Sequence, residues 1–320
     1  MKVHQKATHI VAGFCFFLGL CTAAFAQSAA PFPDRTIQYI IPFPPAGESD
    51  LVARYQADIS AKKFGQPMVV MNRAGAGGAL VWSTLNTYPA DGSTVVGVNI
   101  PHTILQPLQE GIQYKTEDIN AIYYYHFTPD ALMVSADSPY KTYQEFIAAA
   151  KKEPGKISLA GSAQYSANHM AVERLNKLAG VKINYVPFKG TGDLITALIG
   201  MHVDGAMGYL PLAIQQKGKV RTLAIATEKR NPALPDVPTF KEQGIAVMDH
   251  VDAWYAVMAP ARTPSDLIQR LNRDFIEVMN QDDVKAALTQ QGMVVRPSTP
   301  EQLGTLIKSD LARWKKVVDD

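Results

Sequence analysis

The sequence predicts an α/β fold of two lobes, and three observations support this prediction. Strand-like and helix-like segments alternate along most of the chain, a pattern that favours mainly parallel sheets. The same order of elements begins again after Pro129, which indicates a second lobe. Removal of the first 26 of the 320 residues leaves 294, a length that suits two lobes better than one compact domain.

The first lobe is predicted from repeated strand–loop–helix units. Apolar strands are expected at 36–41, 68–71 and 94–99, and a helix at 50–64 that stops before Gly65. Loops rich in proline and glycine follow the first two strands.

The second lobe repeats this pattern and is followed by a return to the first. Its strands are expected at 131–135, 157–160, 183–186, 205–208 and 222–226, and its helices at 143–152, 167–179 and 193–199. An apolar strand at 253–258 carries the chain back, and helices are expected at 265–280, 282–290 and 300–318. Lobe 1 is therefore expected to comprise 27–127 and 256–320, and lobe 2 to comprise 128–255.

The N-terminal segment has the layout of a secretory signal peptide. Lys2 and Lys6 precede an apolar run at 10–20, and small residues lead to Ala26, so cleavage is expected before Gln27. The alternative is a membrane anchor, but the apolar run is shorter than the roughly 20 residues that span a bilayer. Both cysteines, Cys15 and Cys21, lie in this segment, so the mature chain is expected to be periplasmic and free of disulfides.

Charge and motifs exclude several functional classes. Without the two lysines of the signal segment, 29 basic and 29 acidic residues remain, which offers no electrostatic footprint for nucleic acid. No phosphate-binding loop, nucleophile elbow or paired-histidine zinc motif occurs, so no cofactor or metal is expected. An exported hydrolase using Ser166 and His169 is an alternative, but no orienting acid or oxyanion motif accompanies this pair.

Three loops suit an anionic ligand instead. They lie at 43–50, 161–169 and 189–193, each between a predicted strand and a predicted helix. A helix N-terminus offers unpaired N–H groups and a partial positive charge, so it can hold a carboxylate without lysine or arginine. The alternative is that Ser49, Ser166 and Asp193 only cap their helices.

Six ordered motifs resemble those of the Bug family, the binding proteins of tripartite tricarboxylate transport. They are PFPPAGESD at 42–50, NRAGAGG at 72–78, PADG at 89–92, VPFKG at 186–190, NPALPDVPT at 231–239 and PARTP at 260–264. The resemblance covers essentially the whole mature chain. It implies a Venus-flytrap (periplasmic-binding-protein) fold whose two α/β lobes are joined by two crossing hinge strands. It also implies a monomeric, non-catalytic receptor that delivers a small organic carboxylate to integral-membrane transporter subunits.

The resemblance also implies a set of ligand-binding residues, taken from the loops of both lobes. They are Phe43, Ala46, Gly47, Glu48, Asp50, Asn99, Pro101, His102, Ser162, Gln164, Ser166, Asn168, His169, Gly190, Thr191 and Tyr209. A ligand sensor that reports to a signalling partner remains the alternative within this fold.

Two residues depart from the family pattern. Glu48 places an acid in the anion-facing loop, and Tyr209 stands where an acid or amide is common. Phe43, Tyr125, His126, Tyr209 and Trp254 all fall near the expected cleft, although Trp254 could equally pack at the hinge. Aromatic walls and an acid favour an aromatic mono- or dicarboxylate, such as a terephthalate-like ligand, over citrate.

Overall fold

The computed structural model of the chain describes residues 32–245, 248 and 252–319. The expected signal peptide, 1–26, lies outside the described residues. Across the described ranges, no helix is both long and apolar enough to cross a membrane.

Ten strands and ten α-helices are described. The strands are β1 (Ile37–Ile41), β2 (Met68–Asn72), β3 (Thr94–Ile100), β4 (Asn120–Ser135), β5 (Ser158–Ser162), β6 (Asn184–Phe188), β7 (Gly205–Tyr209), β8 (Val220–Ile225), β9 (Asp252–Ala259) and β10 (Val294–Val295). The helices are α1 (Glu48–Phe64), α2 (Ala79–Thr84), α3 (His102–Leu105), α4 (Tyr143–Lys152), α5 (Ala167–Ala179), α6 (Thr191–Ile199), α7 (Leu210–Gln215), α8 (Ser265–Met279), α9 (Asp282–Gln290) and α10 (Pro300–Asp319).

The first sheet contains β2, β1, β3, β9 and part of β4, in that order, and the short strand β10 also pairs with β4. β1 pairs in parallel with β2 and β3, whereas β9 is antiparallel to β3. β3 is buried along its whole length, because helices cover both faces of a largely parallel sheet. The carboxyl ends of β1 and β3 lie at one edge, and the loops that follow them begin there.

The second sheet contains the other part of β4 with β7, β5, β6 and β8. β5 pairs in parallel with β6 and β7, and β4 is antiparallel to β7 and β8. Helix α5 ends at Gly180, which adopts the left-handed conformation (φ 62°) that the sequence predicts at this C-terminus. The loops after β5 and β6 leave the sheet at its carboxyl edge, as ligand-binding loops do in open α/β folds.

One strand, β4, connects the two sheets. Its pairing with β9 in the first sheet runs up to Pro129, and its pairing with β7 in the second sheet begins at Asp130. The strand expected at 131–135 is therefore the second part of a longer strand that begins at Asn120. Proline has no N–H to donate, and here it occupies the point where the strand changes sheets, so a proline is tolerated inside a continuous strand.

Candidate functional site

A cleft of about 250 Å³ lies among the loops that follow strands of both sheets. It is lined by Phe43, Pro44, Pro45, Ala46, Gly47, Glu48, Ser49, Asn99, His102, Ser162, Ala163, Lys189, Gly190, Thr191, Gly192, Asp193, Tyr209 and Tyr255. Loops from the two sheets approach closely here, since a Cβ on Gly190 would lie 3.8 Å from the Pro44 ring. A ligand in this cleft would contact both sheets at once.

The first-sheet wall is the loop between β1 and α1. Ala46 has a φ of 65°, a left-handed conformation that is uncommon for alanine, and its N–H donates to Asp50 Oδ2 at 2.9 Å. Burial raises the pKa of the Asp50 carboxyl, but hydrogen bonds from Arg54 and Ala46 outweigh it and hold the pKa below its usual value. Asp50 does not line the cleft. It fixes the loop so that the N-terminus of α1 reaches the cleft.

The second-sheet wall includes the N-terminus of α6. Gly190 is the N-cap, and among the described side chains none caps it; the same holds for Gly47 at the start of α1. The first N–H groups of both helices therefore remain available to a ligand. Two uncapped helix ends, one from each sheet, line the same cleft.

The N-terminus of α5 is arranged differently. Ser166 is its N-cap, and the Ser166 hydroxyl accepts from His169 N–H at 3.3 Å while donating to the Ala163 carbonyl at 3.0 Å. Both Ser166 and His169 are buried and do not line the cleft. His169 Nδ1 accepts from Tyr165 N–H at 3.1 Å, so that nitrogen is occupied and does not face the serine as a base would.

Glu48 is tied to the crossing strand. Its Oε1 lies 2.8 Å from Nε2 of His126 and also accepts from the Thr128 hydroxyl. The His126 ring in turn stacks on Tyr255, with ring centroids 4.3 Å apart and 11° between the planes. The acid that distinguishes the anion-facing loop is thus held in place by β4 and β9, at the border of the cleft.

The aromatic walls differ partly from the expected set. Phe43 and Tyr209 line the cleft, and His102 and Tyr255 join them. Tyr125 and His126 are buried within the structure, and Trp254 packs on Tyr124 and Phe127. Since alternate residues of a strand face opposite sides, Tyr255 reaches the cleft and Trp254 does not.

A buried polar chain supports Ser162 in the second-sheet wall. The Ser162 hydroxyl donates to Asn168 Oδ1 at 2.6 Å and lies 3.2 Å from the Tyr209 hydroxyl. The Asn168 amide in turn donates to Asp130. Burial raises the pKa of Asp130 well above its usual value, against the hydrogen bond from Asn168, which lowers it, and Asp252 and Glu48 raise it further. Asn168 is fully buried, so it positions Ser162 and does not meet the ligand.

His102 is a neutral group of the cleft. Burial lowers its pKa to about 3, and its ring stacks on Phe43 at 5.8 Å between centroids. The charged residues of the lining are Glu48, Lys189 and Asp193. The site thus offers backbone N–H groups and hydroxyls, with the exposed Lys189 as its cation, and such groups bind anions.

The expected site residues fall into two groups. Phe43, Ala46, Gly47, Glu48, Asn99, His102, Ser162, Gly190, Thr191 and Tyr209 line the cleft, whereas Asp50, Pro101, Gln164, Ser166, Asn168 and His169 do not. The lining also includes Pro44, Pro45, Ser49, Ala163, Lys189, Gly192 and Asp193, which belong to the three predicted loops but not to the expected residue set. Tyr255 of β9 lies outside those loops, and the sequence patterns did not single it out. Within the described ranges, no cluster of three metal-ligating side chains occurs.

Comparison with known proteins gives consistent likenesses. Residues 52–320 match the family described as tripartite tricarboxylate transporter family receptor. Protein BugT of Bordetella pertussis is 32% identical over 319 residues, covering 98% of each chain. MatC from Rhodopseudomonas palustris with bound malate is 31% identical, with a TM-score of 0.82 over 90% of this chain and 100% of that one. R. palustris Rpa4515 with adipate is 26% identical, with a TM-score of 0.83 over 90% and 97%. These likenesses confirm the predicted two-lobe fold.

Proposed function

Because the chain belongs to the tripartite tricarboxylate transporter receptor family, we propose that it captures a small organic carboxylate in the periplasm and passes it to integral-membrane transporter subunits. The family is one of solute-binding receptors, so the protein is not an enzyme. This agrees with the arrangement of Ser166 and His169, which do not form a nucleophile–base pair.

The observation that carries the proposal is the pair of uncapped helix ends in one cleft. The N-termini of α1 and α6 begin at glycines without a side-chain cap, and both line the cleft from opposite sheets. Each end presents N–H groups and the positive end of a helix dipole, which together favour a carboxylate. A ligand that contacts both ends stabilises the closed arrangement of two lobes, proposed as 27–127 with 256–320 and 128–255.

The ligand proposed for this cleft is an aromatic mono- or dicarboxylate. Phe43, His102, Tyr209 and Tyr255 provide ring surfaces, and ring pairs add roughly 0.5–1.5 kcal/mol beyond area burial. Glu48 disfavours a second bare carboxylate beside the first-lobe loop. The similar structures of MatC and Rpa4515 hold malate and adipate, which are aliphatic acids, so an aromatic preference would distinguish this chain from them.

Titration calorimetry with a panel of acids tests both levels of the proposal. The panel comprises benzoate, phthalates, aliphatic diacids of four to six carbons, and citrate, added to ligand-free mature protein. We expect an aromatic acid to bind tightest and mass spectrometry to recover it unchanged. Tightest binding of citrate or a short aliphatic diacid would refute the aromatic preference alone, whereas no binding of any acid would refute the carboxylate receptor.

Export is proposed to remove residues 1–26. N-terminal sequencing of protein taken from the periplasm should begin at Gln27, and the melting temperature of the mature chain should not change with reductant, since both cysteines are lost. Recovery of the intact Met1 segment would contradict this.

A further inference from the structure

A second cavity, of about 160 Å³, adjoins the cleft. The two cavities share five lining residues: Ala46, Glu48, Thr191, Gly192 and Tyr209. Three of these belong to the first turns of α1 and α6. The helix ends that would hold a carboxylate therefore border both spaces, and a ligand bound at those ends has two directions in which to extend.

The walls of the second cavity combine aliphatic and polar side chains, and the aliphatic ones form about half of the lining. They include Leu51 of α1, Ile195 of α6, Leu212 of α7, and Met293. Leu51 is 44% exposed, and cover by a ligand would remove part of that apolar surface from water. Gln215 and Gln216 add neutral amides to the same lining.

The described lining of the second cavity contains a negatively charged residue type and no positively charged one. Among the described residues around the cavity, Glu48 is the one carboxylic acid, and no lysine, arginine or histidine is present. A second carboxylate placed here would lie near Glu48, whose Oε1 already contacts His126 and Thr128. No lysine, arginine or histidine of the lining that the structure describes could pair with that second carboxylate, so placing it here costs free energy. A neutral chain or ring, with at most an uncharged polar end for the glutamines, meets no such penalty.

We propose that the ligand is a monocarboxylate with an extended uncharged tail, and that the tail occupies the second cavity. This inference rests on the proposed function, because the helix ends of α1 and α6 must hold the carboxylate. To the proposed function it adds a preference for ligands with one carboxylate over ligands with two. It also adds a preferred length of the ligand, which the cleft alone does not determine.

A chain-length series tests the inference by calorimetry. Butyrate, hexanoate, octanoate and decanoate are compared with suberate, the eight-carbon diacid, and benzoate with 4-phenylbutyrate. Once the chain is long enough to leave the cleft, affinity should rise about fourfold per methylene until the second cavity is full. Octanoate should bind at least tenfold tighter than suberate, and Glu48→Gln should narrow that difference.

Two variants that fill the cavity sharpen the test. Ile195→Trp should remove the gain from butyrate to octanoate while changing butyrate affinity less than about twofold. Ile199→Trp is the matched control, because Ile199 lies one turn further along α6, is exposed and lines neither cavity. Leu51→Trp fills the cavity from the opposite wall, at an exposed position where folding tolerates a larger side chain.

Three outcomes are distinguishable. A length-dependent gain that both filling variants abolish and the control retains supports the inference. Affinity that is independent of tail length, or that both filling variants leave intact, overturns it without affecting the carboxylate receptor. Failure of every acid, short or long, overturns the receptor and the inference together.

Discussion

Helices α5 and α6 begin in the same way in the sequence and serve different purposes in the structure. Each follows a parallel strand of the second sheet and a loop rich in small residues. At α5 the Ser166 side chain caps the first turn and is buried, whereas α6 starts at Gly190 with no side-chain cap and lines the cleft. The difference shows that a helix N-terminus is free for an anion only where no local side chain satisfies it.

The largest expected effect comes from removing one backbone N–H at the uncapped N-terminus of α6. Thr191→Pro keeps the helix, because proline suits the first helical position, but it deletes a donor to the ligand. Loss of a charge-assisted hydrogen bond of about 1.5–3 kcal/mol should weaken binding of the tightest acid by more than tenfold in calorimetry. Thr191→Ala is the control, since it removes the hydroxyl and keeps the N–H. Equal affinities for the two variants would refute a backbone contact.

Titration of His102 tests whether this residue stays neutral in the first-sheet wall of the cleft. Its folded pKa of about 3 lies below the unfolded value, so protonation favours unfolding and stability is lost as the pH falls from about 6.5 towards 3. The loss should approach 1.4 kcal/mol per pH unit, and His102→Gln should flatten the fall of melting temperature between pH 6.5 and 5. Affinity for the acid should not rise between pH 7.5 and 6, and a tenfold rise would identify a cation in the wall.

A change at the capped N-terminus of α5 should affect stability and leave ligand binding unchanged. Ser166→Ala removes an N-cap worth about 1 kcal/mol, which lowers the melting temperature of a chain this size by roughly 2–4 °C. Thr142→Ala, at the capping box of α4, is the matched control because it removes the same kind of cap away from the cleft. If Ser166→Ala weakened ligand binding and Thr142→Ala did not, α5 would also belong to the binding site.

The smallest effect is expected when a side-chain cap is added to the N-terminus of α6. Gly190 is extended, with a φ of 178°, and a Cβ there meets only the Pro44 ring at 3.8 Å, so a serine fits without strain. Gly190→Ser should raise the ligand-free stability by a few tenths of a kcal/mol and weaken binding, because the new cap competes with the ligand. Denaturant unfolding and calorimetry measure the two changes, and tighter binding would contradict the comparison.

Elements with strong local signals were predicted closely. Helix α4 spans the predicted 143–152, and α5 ends at the predicted Gly180. Thr142 with Glu145 forms a capping box and Gly180 supplies a left-handed C-terminus, so both boundaries are fixed by nearby residues.

Elements that depend on distant partners were missed. The two-residue strand β10 forms only through its pairing with β4. Helix α7 has six residues, which are too few to show the helical periodicity of apolar residues. The continuity of β4 through Pro129 likewise follows from β9 on one side and β7 on the other.

The sequence by itself determined the α/β class, the family and the loops that contain the binding site, because local residue patterns and ordered motifs are enough to identify them. Only the tertiary structure decided which helix ends open into the cleft and which aromatic side chains line it. Ser166 is sealed by contacts with Ala163 and Tyr185, and Tyr255 faces the cleft through the register of β9 with β3 and β4. A one-residue change of register reverses the direction of every side chain in a strand, and register is set by packing between residues far apart in the chain.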